Sequence, residues 1–264
     1  MRISFFAIPL AALVLTACAT TARTDDEQAL AAELDARSIV PSTSQERSAI
    51  RSQDMLTQAT FWAEAHELNP SDLEAAYELS NALRQLGNPQ RAIEIAQQSL
   101  ALHPGSSQLL LAYGTALTST GRGTRATESL RRASQADPTN WRIFNTLGVA
   151  YEQGDQPDQA RQSFRTALAL SPGEASVMSN LALSHALSGE AETAEAMLRE
   201  AMIRPGAEAA VRQNLALVIA LQGRFAEAEE VARYDVTPAM AESNMAYVRA
   251  MLTSRRSYDS LRGD

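Results

Sequence analysis

The feature that most constrains this chain is a period of 34 residues. Alanine recurs at Ala92, Ala126, Ala160, Ala194 and Ala228. Leucine recurs at Leu79, Leu147, Leu181 and Leu215, with Tyr113 in the remaining place. The next residue is always small: Ser80, Gly114, Gly148, Ala182, Ala216. Glycine recurs at Gly87, Gly121, Gly189 and Gly223; in the central copy Asp155 holds that place and Gly154 precedes it. Proline closes the copies at Pro70, Pro104, Pro138 and Pro172, while Pro205 falls one place early. Five copies in register mean that one supersecondary unit is stacked along the chain.

Helix packing explains the spacing. Each unit reads as two antiparallel helices joined by a turn. The glycine column ends the first helix, where a left-handed residue is wanted. Pro89 and Pro157 then sit at a first helical position, which has no use for an N–H. The closing prolines stop the second helix. Small residues at paired places let the two backbones approach, so Gly148 and Ala160 are expected to face each other. One unit cannot bury its apolar face alone, so the units must stack into a solenoid.

The window Trp141 to Pro172 carries Leu147-Gly148, Tyr151, Ala160, Phe164, Ala167 and Pro172. It resembles the tetratricopeptide repeat (TPR), and the resemblance covers Leu73 to about Tyr234. It implies an all-α superhelical solenoid of five helix-turn-helix units, at about 73–106, 107–140, 141–174, 175–208 and 209–238. Residues 44–72 then form an N-terminal cap or a degenerate first unit. Ser44 to Leu68 is helical by pattern, with Ile50, Met55, Leu56, Ala59 and Trp62 as its apolar face. Residues 239–264 form a C-terminal cap and tail. Thr237 caps a last helix over about 238–254, with Met240, Met245, Tyr247, Val248 and Met251 apolar, and Ser254 to Asp264 read as frayed.

Residues 1–18 are an export signal rather than fold. Arg2 is followed by a short apolar run, Ile3 to Leu15, interrupted by Pro9 and too short for a comfortable membrane span. It ends Leu15-Thr16-Ala17-Cys18, which resembles a bacterial lipobox with Cys18 as the lipidated mature N-terminus. Cys18 is also the single cysteine of the chain, so no internal disulfide is available. Several acyl chains on one residue anchor stably, at about 0.8 kcal/mol per buried CH₂. Ala19 stands where an inner-membrane retention signal would have Asp, which implies the periplasmic face of a Gram-negative outer membrane. Residues 19–43 read as a flexible tether.

Composition narrows the function. The net charge is −8, and all 23 basic residues are arginine. An acid excess spread along the chain argues against nucleic acid. There is no Ser-His-Asp spacing and no phosphate loop, so no enzyme, cofactor or small-molecule substrate is expected. No metal site is expected either. His66-Glu67 lacks a second histidine four places on, where Pro70 stands, and neither His103 nor His185 has a spaced co-ligand.

Binding of a protein partner remains. The TPR resemblance puts the first helix of each unit on the concave side. That face reads as polar in its N-terminal half (Asn81, Arg84, Thr115, Thr118, Val149, Glu152). It reads as apolar in its C-terminal half (Leu183, Ala186, Leu187, Leu217, Ala220, Leu221). The candidate partner groove is Asn180, Leu183, Leu187, Asn214, Leu217 and Leu221. The alternative is that these leucines are core, buried by neighbouring helices or by the last helix.

A lipobox followed by such an array resembles a narrower family, the TadD lipoproteins of the tight-adherence (Flp) pilus machinery. The resemblance also rests on Val211 to Leu217 and on Gln222-Gly223-Arg224-Phe225. It implies a pilotin-like factor that helps the outer-membrane secretin localise or assemble, with the secretin or another pilus component as partner. The alternative is a general periplasmic scaffold for envelope-protein assembly or cell-wall enzymes.

Overall fold

The computed structural model describes residues 43–261, with side chains described through Ala250 and at Leu252. Cys18 and the tether up to residue 42 lie outside the described residues, while Thr43, given to the tether, caps the first helix in a capping box with Glu46. The described residues hold α1 (Ser44–Ile50) and α2 (Met55–Leu68), followed by five helix pairs and a final helix. The pairs are α3 (Leu73–Gln85) with α4 (Pro89–Leu102), α5 (Ser107–Thr118) with α6 (Gly123–Ala136), and α7 (Trp141–Gln153) with α8 (Pro157–Leu170). They continue with α9 (Ala175–Leu187) and α10 (Ala191–Met202), then α11 (Ala209–Leu221) and the short α12 (Phe225–Ala232); α13 spans Pro238–Leu261. Each first helix packs on its own second helix, and each second helix on the next first helix.

The turn inside each unit has one geometry. Gly87, Gly121, Gly189 and Gly223 have φ of +79°, +72°, +86° and +82°. In the third unit the same register position is Asp155, with φ +55°, the one non-glycine residue of positive φ among those described. After each turn an N–H returns five residues: Asn88 to the Leu83 carbonyl, Arg122 to Leu117, Gln156 to Tyr151, Glu190 to His185, Arg224 to Ile219. Closing the helix end this way satisfies carbonyls that the helix leaves open. Side-chain caps start three first helices and one second helix: Asp72 accepts from the Ala75 N–H, Ser106 from Leu109, Asn140 from Arg142 and, on α4, Asn88 from Arg91. Each is worth about 1 kcal/mol.

The N-terminal segment is not one helix. Arg51 to Asp54 break it, and Asp54 Oδ1 accepts the Leu56 and Thr57 N–H groups at 3.0 Å. The break falls where the repeat demands, because Met55–Leu68 lies one period of 34 before Pro89–Leu102. The segment is therefore a degenerate unit whose first helix is shortened. Leu56, expected on the apolar face, is exposed; Trp62 is fully buried. Arg47 pins α1 to the array, bonding Asp72 at 2.5 Å and Glu74 at 2.7 Å while lying over the Trp62 ring.

Close packing within the units pairs residues 16 apart. A Cβ on Gly148 would sit 2.4 Å from the Phe164 ring, and one on Gly114 would sit 2.5 Å from Leu130. The first group that a side chain on Gly148 would meet is the Phe164 ring, with Ala160 fully buried in the same core cluster as Phe164. In the first unit Ser80 holds the glycine position and donates its hydroxyl to the Ala92 carbonyl at 3.0 Å. There the residue 16 later is Ala96, small enough to leave that room.

At the C-terminus the Met240 N–H bonds the Thr237 hydroxyl at 3.3 Å, as the cap requires. The helix runs to Leu261, past the expected end at 254. Ala241, Met245 and Val248 are buried against α11 and α12, with Leu252 partly buried beside them. Met240 and Tyr247, expected on this face, are exposed instead. The Met251 side chain lies outside the described residues.

Candidate functional site

First helices of successive units line one hollow of about 550 Å³. Tyr77, Asn81, Arg84 and Gln85 come from α3, Leu111 and Thr115 from α5. Trp141, Arg142, Asn145 and Thr146 come from α7, Ser176 from α9, and Glu208 from the start of α11. That residues 77 and 208 share a wall means the array curls around this face. A second hollow of about 350 Å³ continues it, sharing Trp141, Arg142, Ser176 and Glu208 and adding Ser179, Asn180 and Asn214. Columns one period apart supply the lining: Tyr77, Leu111, Asn145 and Ser179 are one such column.

The floor is crossed by a polar ladder between neighbouring first helices. The Asn180 amide N–H donates to Asn145 Oδ1 at 2.9 Å. One unit later the Asn214 amide donates to Ser179 Oγ at 3.0 Å. Both steps span 35 residues, one more than the period. Gln153 donates to the Thr118 carbonyl at 2.9 Å, again 35 residues back, and Ser184 donates to Glu152. Asn180 and Asn214 therefore line the hollow with one amide group already engaged in fixing the curvature.

The four expected leucines do not form one strip. Leu183, Leu217 and Leu221 are partly buried against the C-terminal core cluster. Leu217 lines an apolar pocket of about 330 Å³ closed by Met245, Tyr247 and Val248 of α13. Leu187 is exposed at 77%. Ala220, expected in the groove, is fully buried.

Arg84, expected on the polar half of the concave face, does line the larger hollow. Its side chain is half-buried in the larger hollow, and its Nε is buried with no hydrogen-bond partner. Burial pushes its pKa below the usual arginine value, partly offset by the neighbouring Tyr77, yet an arginine stays charged in proteins. Glu78, in the same wall, is engaged by Arg51 at 2.7 Å. Arg142 stacks on Trp141, 4.5 Å from the ring centroid. The hollow thus presents guanidinium and amide donors. The signal available in the sequence was the column rule, which places Arg84 in the last turn of a first helix.

A tetratricopeptide-repeat family profile matches residues 61–107, 77–141 and 145–210, more than half of the chain. The chain belongs to the tetratricopeptide repeat family. A second TPR profile matches residues 209–233, so the fifth unit belongs to the array despite its short α12. A comparison with curated proteins finds no match. Solved structures share the TPR fold. TTC0263, a thermophilic TPR protein in Thermus thermophilus, has TM-score 0.55 and 23% identity, covering 62% of this chain and 90% of its own. MamA from Desulfovibrio magneticus RS-1 has TM-score 0.51 and 22% identity, covering 59% and 88%. The APC/C hetero-tetramer Cut9–Hcn1 has TM-score 0.59 and 16% identity, covering 72% of this chain and 39% of the matched chain.

Proposed function

We propose that this chain is a protein-interaction scaffold that holds a segment of a partner on its concave face. The observation that carries this is the continuous hollow lined by the first helices of successive units, with polar donors along it. A curved, open wall of helix faces suits an extended or helical segment of a protein. The lipobox reading puts the scaffold on the periplasmic face of the outer membrane, anchored through Cys18. The TadD resemblance makes the partner the secretin of a tight-adherence pilus and the role pilotin-like.

Two measurements test this. A photo-crosslinker placed at Thr115 or Ser176, inside the hollow, should join the chain to the secretin, whereas one at exposed Arg125 on α6 should not. In cells lacking the chain, secretin multimers in the outer membrane should fall sharply. Unchanged multimers would sink the pilus role and leave the general envelope scaffold. Crosslinks from Arg125 but none from Thr115 or Ser176 would sink the concave-face reading itself.

A further inference from the structure

We propose that the hollow around Arg84 and Arg142 takes glutamate or aspartate side chains from within an extended, acidic segment of the partner. This rests on the concave face being the partner surface and adds the chemistry of what lies there. Arg84 is the central observation. It is a charged side chain partly withdrawn from water, with a buried Nε that finds no acceptor. Such a group is costly to bury unless a counter-charge meets it. Among the described residues ten arginines are ion-paired, Arg47, Arg51, Arg161, Arg199, Arg212 and Arg224 among them. Arg84 has no ion pair among the described residues, and Arg142 makes a ring contact. A planar guanidinium with free N–H groups matches a carboxylate in geometry as well as charge.

The surroundings select the source of that carboxylate. Asn81, Gln85 and Asn145 add amides to the wall, while Tyr77, Leu111 and Trp141 add apolar surface. That mixture suits a peptide with side chains and backbone to place, not a bare anion. The lining carboxylates set limits. Glu78 is neutralised by Arg51, while Glu208 lines both hollows with Arg142 and is a carboxylate that an incoming acidic segment has to avoid. With a net charge of −8, the chain as a whole repels polyanions, so only a short acidic stretch aimed at the two arginines gains. Nucleic acid and an anionic membrane surface are disfavoured on that ground.

The test uses the full chain and fluorescence anisotropy. The probe is a labelled, C-terminally amidated peptide with two adjacent glutamates in a Ser/Gly/Leu background. Its counterpart has glutamines. The glutamate peptide should bind, the glutamine peptide should bind at least about tenfold more weakly, and added salt should weaken the first selectively. Arg84→Gln should lower affinity for the glutamate peptide about tenfold while leaving the melting temperature equal or higher, because it removes an unpaired charge. Arg125→Gln should change neither. Equal binding of both peptides, or unchanged binding by Arg84→Gln, overturns the proposal. So does a large drop in melting temperature for Arg84→Gln, which would make Arg84 a structural cation. Binding only of the free-acid form assigns the site to a chain terminus, and Arg84-dependent stabilisation by inorganic phosphate without peptide binding assigns it to a small anion. Either result overturns it too. If Thr115 still crosslinks to the partner while the glutamate peptide fails to compete, this inference falls and the concave-face reading stands.

Discussion

The ring of Phe164 occupies the space where a side chain on Gly148 would begin, 2.4 Å from an ideal Cβ. The size of one residue is thus set by the other, 16 places along. The same pair of positions is Gly114 with Leu130 in the second unit and Ala182 with Leu198 in the fourth. Gly148→Ala should cost about 1–3 kcal/mol, as overpacking does, visible in chemical denaturation. Adding Phe164→Leu should recover part of the loss, since it recreates the fourth unit's combination. Additive losses in the double variant would mean that the two residues do not share this space.

Asp155 holds φ +55° at a position that is glycine in the other four units. A left-handed residue with a Cβ costs roughly 1–2 kcal/mol. Asp155→Gly should therefore stabilise the fold by about 1 kcal/mol, less the added freedom of the unfolded chain. A lower melting temperature for Asp155→Gly would show that the aspartate side chain itself supports the turn.

The ion pairs between units give the stability a pH slope. Burial alone would raise the Asp72 pKa, but hydrogen bonds from Arg47 and from the Ala75 N–H hold it below the usual value. Glu195 behaves likewise: burial opposes, and Gln222, Arg199 and Arg224 prevail. Carboxylates with lowered folded-state values bind fewer protons folded than unfolded. Their contribution is present above the usual carboxylate range, near about pH 4, and is lost as pH falls through the lowered values. The melting temperature should drop between about pH 5 and about pH 3, and less steeply for Asp72→Asn. An equal slope for the variant would contradict the role of the Arg47–Asp72 pair.

The leucines separate by position. Leu187→Glu should change the melting temperature little, because the side chain is 77% exposed. Leu217→Glu would place a charge in the pocket against Met245 and Val248, at a cost of several kcal/mol. Circular dichroism melts compare them directly. Similar losses would mean that α13 does not close the pocket.

Anchoring rests on Leu15-Thr16-Ala17-Cys18. Cys18→Ser should leave the protein unlipidated and release it from the outer-membrane fraction. Full processing and sedimentation with that membrane would remove the lipoprotein reading.

The period of 34 was enough to establish the helices, their order and the stacked architecture. It could do so because glycine turns, N1 prolines and small residues each act within one unit, over a few residues of chain. The same arithmetic even locates α2, once Met55 is seen to stand one period before Pro89. Contacts between units were out of its reach. That the Phe164 ring fills the space over Gly148 depends on how the two helices of the hairpin are rotated, which the spacing of small residues does not give. Asn180 and Asn214 reach back 35 residues because adjacent first helices are offset by the superhelical twist. That twist brings Glu208 into the same wall as Tyr77, and Arg84 Nε finds no hydrogen-bond partner among the described residues. Neither fact is local, so only the stacked array decides which polar residues face each other across the hollow.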